Sequence, residues 1–491
     1  MLLEIILSTV FVVLAVFWYM SYNRDNTRDS VKQTSPIGQF PETTSVQNVI
    51  SPKKIPEIHP KSLSEGNVPD ITAAGSLTQF ITALHKQLGA IAGFWLKETF
   101  IVSIASSELF GKVIHLFDRP AVLFADFLPL IGKGSIQYAN GEAGQKRRKL
   151  HDRSFAQRKL DAQLPLFQEI GEELCDQWAK CAKSEEHIPL SLNCSAIVMK
   201  ALTRFAFGDY FKNETALNNF RKDYDLVFWT LENVIVSGPL EPGSDKEKEY
   251  NEGLARMRKV VKGIIQQREE AEVEPEQKIF IDSLLDNYDN EDMLFSDVLS
   301  YLIGGSHTTG FFIFWMLYHL ASNPKMQDKC YDEICQAYSG GPLSVDVIQK
   351  LKYLECVMSE THRFTNLAPF AARQSAVDMT VGGYLVPANT PVMISLYAMF
   401  KDEKQWPNAN TFDPDRFLNA DKLPPLGFEP FGMGKRKCPG YRMTNVETKV
   451  FLTLILKNFK ISLVPGQTVG HKYGILTKPD VEVFVTVERR Q

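Results

Sequence analysis

Apolar positions along most of this chain recur every three to four residues, the spacing that puts them on one face of a helix. The pattern runs over 160–183, 191–207, 216–234, 246–270, 295–322, 324–338, 344–363 and 440–458. Strand-like runs are short and few: 91–104, 379–386, 390–396 and 481–487. No regular strand–helix–strand alternation appears, which excludes a doubly wound parallel sheet. The expected fold class is mainly α with small β-sheets, an α+β arrangement over residues 70–491. The stretch 295–322 predicts one long helix of ~42 Å, stopped before Pro324. Gly304 and Gly305 sit in its middle, where each costs ~1 kcal/mol against alanine. A packing or functional reason is expected for them.

The N-terminal end of the chain differs from the body. Ile5–Tyr22 runs 18 residues without a charge, enough for a helix of ~27 Å and a bilayer core. Trp18, Tyr19 and Tyr22 cluster at one end, as at a membrane interface. Arg24, Arg28 and Lys32 follow the run, whereas a cleaved signal would carry its basic residues before it. Residues 1–22 are therefore expected to be a transmembrane anchor with the body on the cytosolic side. Residues 23–69 show neither period and are punctuated by Pro36, Pro41, Pro52, Pro56, Pro60 and Pro69, which predicts a flexible linker. The sequons at Asn193 and Asn213 would be silent in the cytosol.

Composition narrows the function. The 54 Lys and Arg against 58 Asp and Glu leave a net charge of −4, which argues against a nucleic-acid binder held by bulk positive charge. The seven cysteines form no CxxC pair, so zinc ribbons and disulfide scaffolds are excluded. Gly432 and Gly434 do not form a dinucleotide loop, because Lys437 stands where the third glycine belongs and no strand precedes them.

One motif carries chemistry. In FEPFGMGKRKCPG, residues 428–440, Phe431, Gly434, Arg436, Cys438 and Gly440 match F-x-x-G-x-R-x-C-x-G. Chance gives such a match in a chain of this length on the order of 10⁻⁴ times at average residue usage. The helix predicted after Cys438 shows Val446, Val450 and Leu454 on one face. Its N-terminus would lie near the sulfur, where the dipole favours thiolate.

This loop resembles the haem-binding loop of the cytochrome P-450 family, and further motifs follow in the family's order. Glu360-Thr-His-Arg363 gives E-x-x-R, and Arg416 stands where a Pro-x-Arg-Phe motif supplies a second arginine. Residues 304–309 read Gly-Gly-Ser-His-Thr-Thr against [A/G]-G-x-[D/E]-T-[T/S]. The resemblance covers about 68–491. The stretches NVPDITAAGSLTQFITALHKQLG and IFIDSLLDN further resemble the animal orphan family 20, whose members have no settled substrate.

The resemblance implies the cytochrome P-450 fold and a membrane-anchored haem-thiolate monooxygenase of the endoplasmic reticulum, single-pass, with its catalytic domain in the cytosol. Cys438 would be the ligand of iron in haem b, within a loop shaped by Phe431, Gly434 and Gly440. Arg148, Arg373 and Arg436 would hold the propionates. Glu360, Arg363 and Arg416 would form a structural network. Thr308 would help deliver protons to dioxygen. Two positions depart from the family: Gly144 replaces the Trp of W-x-x-x-R, and His307 replaces the acid before Thr308. Histidine can also relay protons, and packing on the helix is an equal alternative for it. NADPH would act only through a separate flavoprotein reductase, or electrons would come from a cytochrome b-type donor. Docking would use the basic runs 146–149 and 435–442. Apolar stretches at 112–131 and 222–240 imply a lipophilic substrate. Two further readings stay open: a haem-thiolate isomerase or dehydratase that needs no reductase, and a non-catalytic haem-binding protein.

Overall fold

The computed structural model describes residues 53–490 apart from 185, 272–273, 275–277, 289, 420–422 and 425–426. The uncharged run at 5–22 and most of the expected linker lie outside the described residues. Among the described residues no helix is long and apolar enough to cross a membrane.

Helices dominate, as the periodicity predicts. Those that position the site are α1 (Gly141–Asp152), α2 (Leu164–Ser184), α3 (Leu190–Phe207), α4 (Glu214–Ser237), α5 (Asp245–Glu269), α6 (Glu291–Ser322), α7 (Lys352–Thr365) and α8 (Tyr441–Asn458). The central helix α6 begins four residues before its expected start. There the Asn290 side chain accepts from the Met293 N–H and caps the helix. Its second half is buried on every side, with Phe312, Phe314 and Trp315 among the largest enclosed side chains. The α3 helix packs along it. Gly310 permits this approach, since a Cβ there would lie 3.1 Å from the Ser195 Cα.

Among the described residues the short strands form one four-stranded mixed sheet and three smaller antiparallel ones. β1 (Ile91–Leu96) and β2 (Thr99–Ile104) form an antiparallel hairpin, so the single run expected at 91–104 folds back on itself. The turn is made at Lys97, whose φ of 51° lies in the left-handed region. β2 then pairs in parallel with β4 (Val392–Ser395), which pairs antiparallel with β3 (Phe370–Arg373). The run 379–386 is likewise a hairpin, with Met379 opposite Val386. The last strand, Phe484–Arg489, begins three residues later than its apolar run and pairs with Phe459–Leu463.

Two expectations change. The helix expected over 344–363 breaks at Leu351, giving Val345–Lys350 and then α7. There the Tyr353 and Leu354 N–H groups donate to the Glu333 carboxylate, which caps the second piece in place of a continuous ladder. The linker expected to 69 is packed against the body from 53 onward. Lys53 bridges Tyr384, Glu57 bridges Gly93, Gly66 bridges Leu96, and Ile55 is buried. Asn67 is fully enclosed, and its side chain accepts from the Trp95 N–H at 2.9 Å. Pro56 and Pro60 did not prevent packing, and Pro69 sits in the first turn of a short helix, Val68–Ala73. Both sequon asparagines are structurally engaged: Asn193 accepts from Trp178 Nε1 at 3.0 Å and donates to the Pro189 carbonyl, while Asn213 caps α4.

Candidate active site

The Cys438 loop is built by backbone geometry. The Cys438 N–H donates to the Phe431 carbonyl at 2.9 Å, closing the loop on itself. Gly434 has φ +69°, and a Cβ there would lie 2.2 Å from the Ile114 carbonyl oxygen, so no other residue fits. A Cβ added at Gly440 would lie 3.9 Å from the Cys438 Sγ, so the backbone there passes close to the sulfur. The α8 helix starts at Tyr441, three residues after the thiol. Burial pushes the Cys438 thiol up, while the Gly440 backbone and the Arg148 and Arg119 guanidiniums pull it back. The Phe431 ring packs against His362 of α7, with centroids 4.7 Å apart.

Beside this thiol stands a cluster of four arginines, of which Arg148 and Arg119 act on it. Arg436 donates to the carbonyls of Phe117 and Ile136, both at 3.1 Å, and its guanidinium lies 3.9 Å over the Phe117 ring. Arg148 pairs with Asp152 at 2.7 Å and donates to the Lys437 carbonyl. Arg373, 2% exposed, reaches the carbonyls of Ala372 and Met433 and leaves its Nε without a partner. Arg119 is the fourth, and sequence reasoning missed it. Its only signal was its place in an apolar stretch, FDRPAVLF at 117–124. Burial, and then the mutual repulsion of these guanidiniums, lowers Arg373 and Arg436 to about 10 and Arg119 well below its usual value. A buried cationic cluster this poor in carboxylates, with a free donor, fits the two propionates of a haem.

Gly144 does not leave a gap where the family has tryptophan. A Cβ at that position would lie 2.3 Å from the Ala139 carbonyl and 3.1 Å from the Phe117 ring. The start of α1 has closed onto the backbone, and Phe117 fills the side-chain space.

The network at Glu360 assembles as its spacing implies. Arg363 makes two 2.7 Å hydrogen bonds to the Glu360 carboxylate, both side chains being fully enclosed. Arg416 approaches to 3.2 Å, and the Asp413 N–H adds a bond of 2.8 Å. Arg363 also donates to the carbonyls of Phe400, Ala409 and Thr411, which ties α7 to the irregular segment leading to the Cys438 loop.

On α6 the two glycines have different roles. Gly305 packs on Leu202 of α3, with a contact of 3.0 Å awaiting any Cβ. Gly304 is exposed in the middle of the helix and has nothing within 4 Å of its Cβ position. Thr308, one turn on, donates to the Gly304 carbonyl at 2.7 Å. The reason expected for the two glycines therefore splits: Gly305 serves packing, and Gly304 leaves open space beside Thr308. Thr309 faces the other way and lies 3.2 Å from the Thr444 hydroxyl of α8, which brings α6 against the helix that follows Cys438. Beside them Glu447, 2% exposed, is lifted by burial to about 8 and keeps one oxygen unpartnered. Nothing in the sequence pattern marked it.

His307 points into α4. Its ring centroid lies 4.5 Å from Phe228, 4.7 Å from Trp229 and 5.1 Å from Tyr224. Its Nε2 is 3.4 Å from Asp225 Oδ1.

Residues 59–485 match the family model for cytochrome P450. The chain therefore belongs to the cytochrome P450 family, whose members are haem-thiolate monooxygenases carrying cysteine-ligated haem b, with electrons supplied by a redox partner. It is similar to "Cytochrome P450 20A1" of Homo sapiens, 28% identical over 89% of this chain and 93% of the relative, and to that of Mus musculus at 29% with the same coverage. It is also similar to "Cytochrome P450 4V2" of Homo sapiens, 34% identical over 43% of each chain.

Proposed function

We propose that this protein is a membrane-anchored monooxygenase that inserts one oxygen atom of O2 into a lipophilic substrate, using electrons from an NADPH-dependent flavoprotein reductase. The observation that carries the reading is a cluster of four guanidiniums, two of which, Arg148 and Arg119, act on the single thiol of a glycine-shaped loop. Cys438 is the iron ligand in this reading, and a thiolate-ligated haem supplies dioxygen activation. Arg119, Arg148, Arg373 and Arg436 receive the propionates. Glu360, Arg363 and Arg416 hold the loop's approach rigid. Gly304 leaves room beside Thr308, whose hydroxyl is parked on a backbone carbonyl and has a lone pair free to accept a further hydrogen bond. The membrane anchor is Ile5–Tyr22, and the largely apolar stretches 112–131 and 222–240, taken as the substrate lining, favour a lipophilic ligand.

The test is the spectrum of the reduced protein under carbon monoxide. The wild-type chain is expected to show the red-shifted Soret band of thiolate ligation, and Cys438→Ala to lose it. A Cys438→Ala protein that keeps the band overturns the assignment. Consumption of NADPH and dioxygen with a reductase present separates the monooxygenase from an isomerase that works without one.

A further inference from the structure

His307 is 2% exposed, and both of its ring nitrogens lack a hydrogen bond. Leaving a buried polar group unsatisfied costs ~1–3 kcal/mol, so a ring chosen only to fill this space would be Phe or Leu. The ring is held by Tyr224, Phe228 and Trp229 from α4 and by Phe311 one turn along its own helix. One group breaks this apolar wall: the Asp225 carboxylate, whose Oδ1 stands 3.4 Å from Nε2. Asp225 itself keeps 35% of its side chain exposed, so it touches solvent on one side and the buried imidazole on the other.

We propose that Asp225 supplies from α4 the acid that α6 lacks before Thr308, and that Asp225 and His307 form a proton-relay pair leading from solvent to the site. This rests on the monooxygenase reading above. In one transfer the Asp225 carboxyl O–H bond breaks and its proton bonds Nε2. The proton on Nδ1 leaves to a water or hydroxyl on the site side, and Asp225 is reprotonated from solvent. One proton moves and no electrons do. The transfer leaves the proton on Nε2 and Nδ1 bare, so the ring turns over about its Cβ–Cγ bond before the next transfer.

The charged surroundings suit this task. Burial lifts Asp225 to about 6, against the pull of Arg221, so it holds a proton for part of the time near neutral pH. Burial, and then Lys478, keep His307 neutral, which a relay needs and an ion pair would not allow. Lys478 is itself paired with Glu232 of α4, and the Tyr224 hydroxyl is 3.5 Å from the Leu302 carbonyl, so neither competes for the imidazole.

The test uses the full-length haem-loaded protein with reductase and NADPH and no added substrate. Dioxygen then leaves as peroxide or, with further protons and electrons, as water. Asp225→Asn and His307→Phe are each expected to lower the water-to-peroxide ratio by about 100-fold, the lower edge of what a positioned proton donor contributes. The double variant is expected to be no worse than either, and Asp225→Glu to recover most of the ratio. A second readout does not depend on turnover. In protein labelled with ¹⁵N-histidine, the His307 ring resonances, identified by their loss in His307→Phe, are expected to shift in Asp225→Asn. An unchanged ratio in the isosteric Asp225→Asn, or unmoved His307 resonances, overturns the pair. Loss of the thiolate carbon monoxide band in the wild-type chain would instead sink the monooxygenase reading.

Discussion

Glu447 and Glu360 are both enclosed carboxyl groups, and they behave in opposite ways. Glu447 has an unpartnered oxygen and holds its proton up to about 8. The folded protein thus binds this proton more tightly than the unfolded chain does. The stabilisation is full below about pH 4.5 and is lost as pH rises toward 8, at on the order of 1 kcal/mol per unit. Urea denaturation of the holoprotein between pH 5 and 8 should show that slope, and Glu447→Gln should flatten it. Glu360 is held by two arginines, so its removal strands buried cations. Glu360→Ala is expected to cost ~3–5 kcal/mol and to yield little haem-loaded protein, read as the Soret-to-protein absorbance ratio. Arg363→Lys should recover little of it, because a single ammonium cannot replace two parallel bonds to one carboxylate. Residues at this scale were legible where their chemistry is written in close spacing, as in the Cys438 loop and the 360–363 pair. Arg119, Asp225 and Glu447 were not, because each acquires its meaning from a partner far away in the chain.

At the scale of elements, the periodicity gave helices reliably and their ends less so. The 344–363 run kept its apolar spacing across Leu351, so nothing in the pattern signalled the break. The cap that makes it comes from Glu333 on another helix. The hairpin at 91–104 read as a single strand because its turn at Lys97 holds no Asn-Gly, Asp-Gly or Gly-Gly pair, whereas the Gly382–Gly383 pair of the second, both at positive φ, is a turn signal that the sequence reading passed over. Gly144 shows why a departure from a motif has to be read with its neighbours. Gly144→Trp, which restores the family residue, is expected to impair folding or haem retention, because the Ala139 backbone occupies the path of the side chain. Gly434→Ala should be worse than an ordinary surface substitution by several kcal/mol, since it adds a backbone clash to an unfavourable φ. Thermal denaturation and haem content of the two purified variants check both expectations.

Over the whole molecule, the two basic runs at 146–149 and 435–442 do meet. Lys435 donates to Gln145 at 2.9 Å, and Arg148 reaches the Lys437 carbonyl. Their members divide the work: Arg147 turns inward to Asp297, Arg148 and Arg436 are buried on backbone carbonyls near the Cys438 loop, and Lys146, Lys149 and Lys435 remain exposed. Lys146→Glu with Lys435→Glu is expected to slow electron delivery by a reductase and weaken its salt dependence, without changing the carbon monoxide spectrum. Stopped-flow reduction at two ionic strengths measures it. For the anchor, protease added to intact microsomes should digest the body, and protection of the body would reverse the proposed orientation.

The four crowded guanidiniums also bear on how long the protein lasts. A buried cluster of cations destabilises the chain while it is unneutralised, so in the proposed reading the haem propionates that neutralise it also decide whether the fold persists. Saturation at 100 times the dissociation constant adds about 2.7 kcal/mol, a large fraction of a typical domain's margin. Abundance of this protein should therefore follow the porphyrin supply of the cell: chains made when porphyrin is scarce enter degradation early, and the same gene dose yields more protein when it is plentiful.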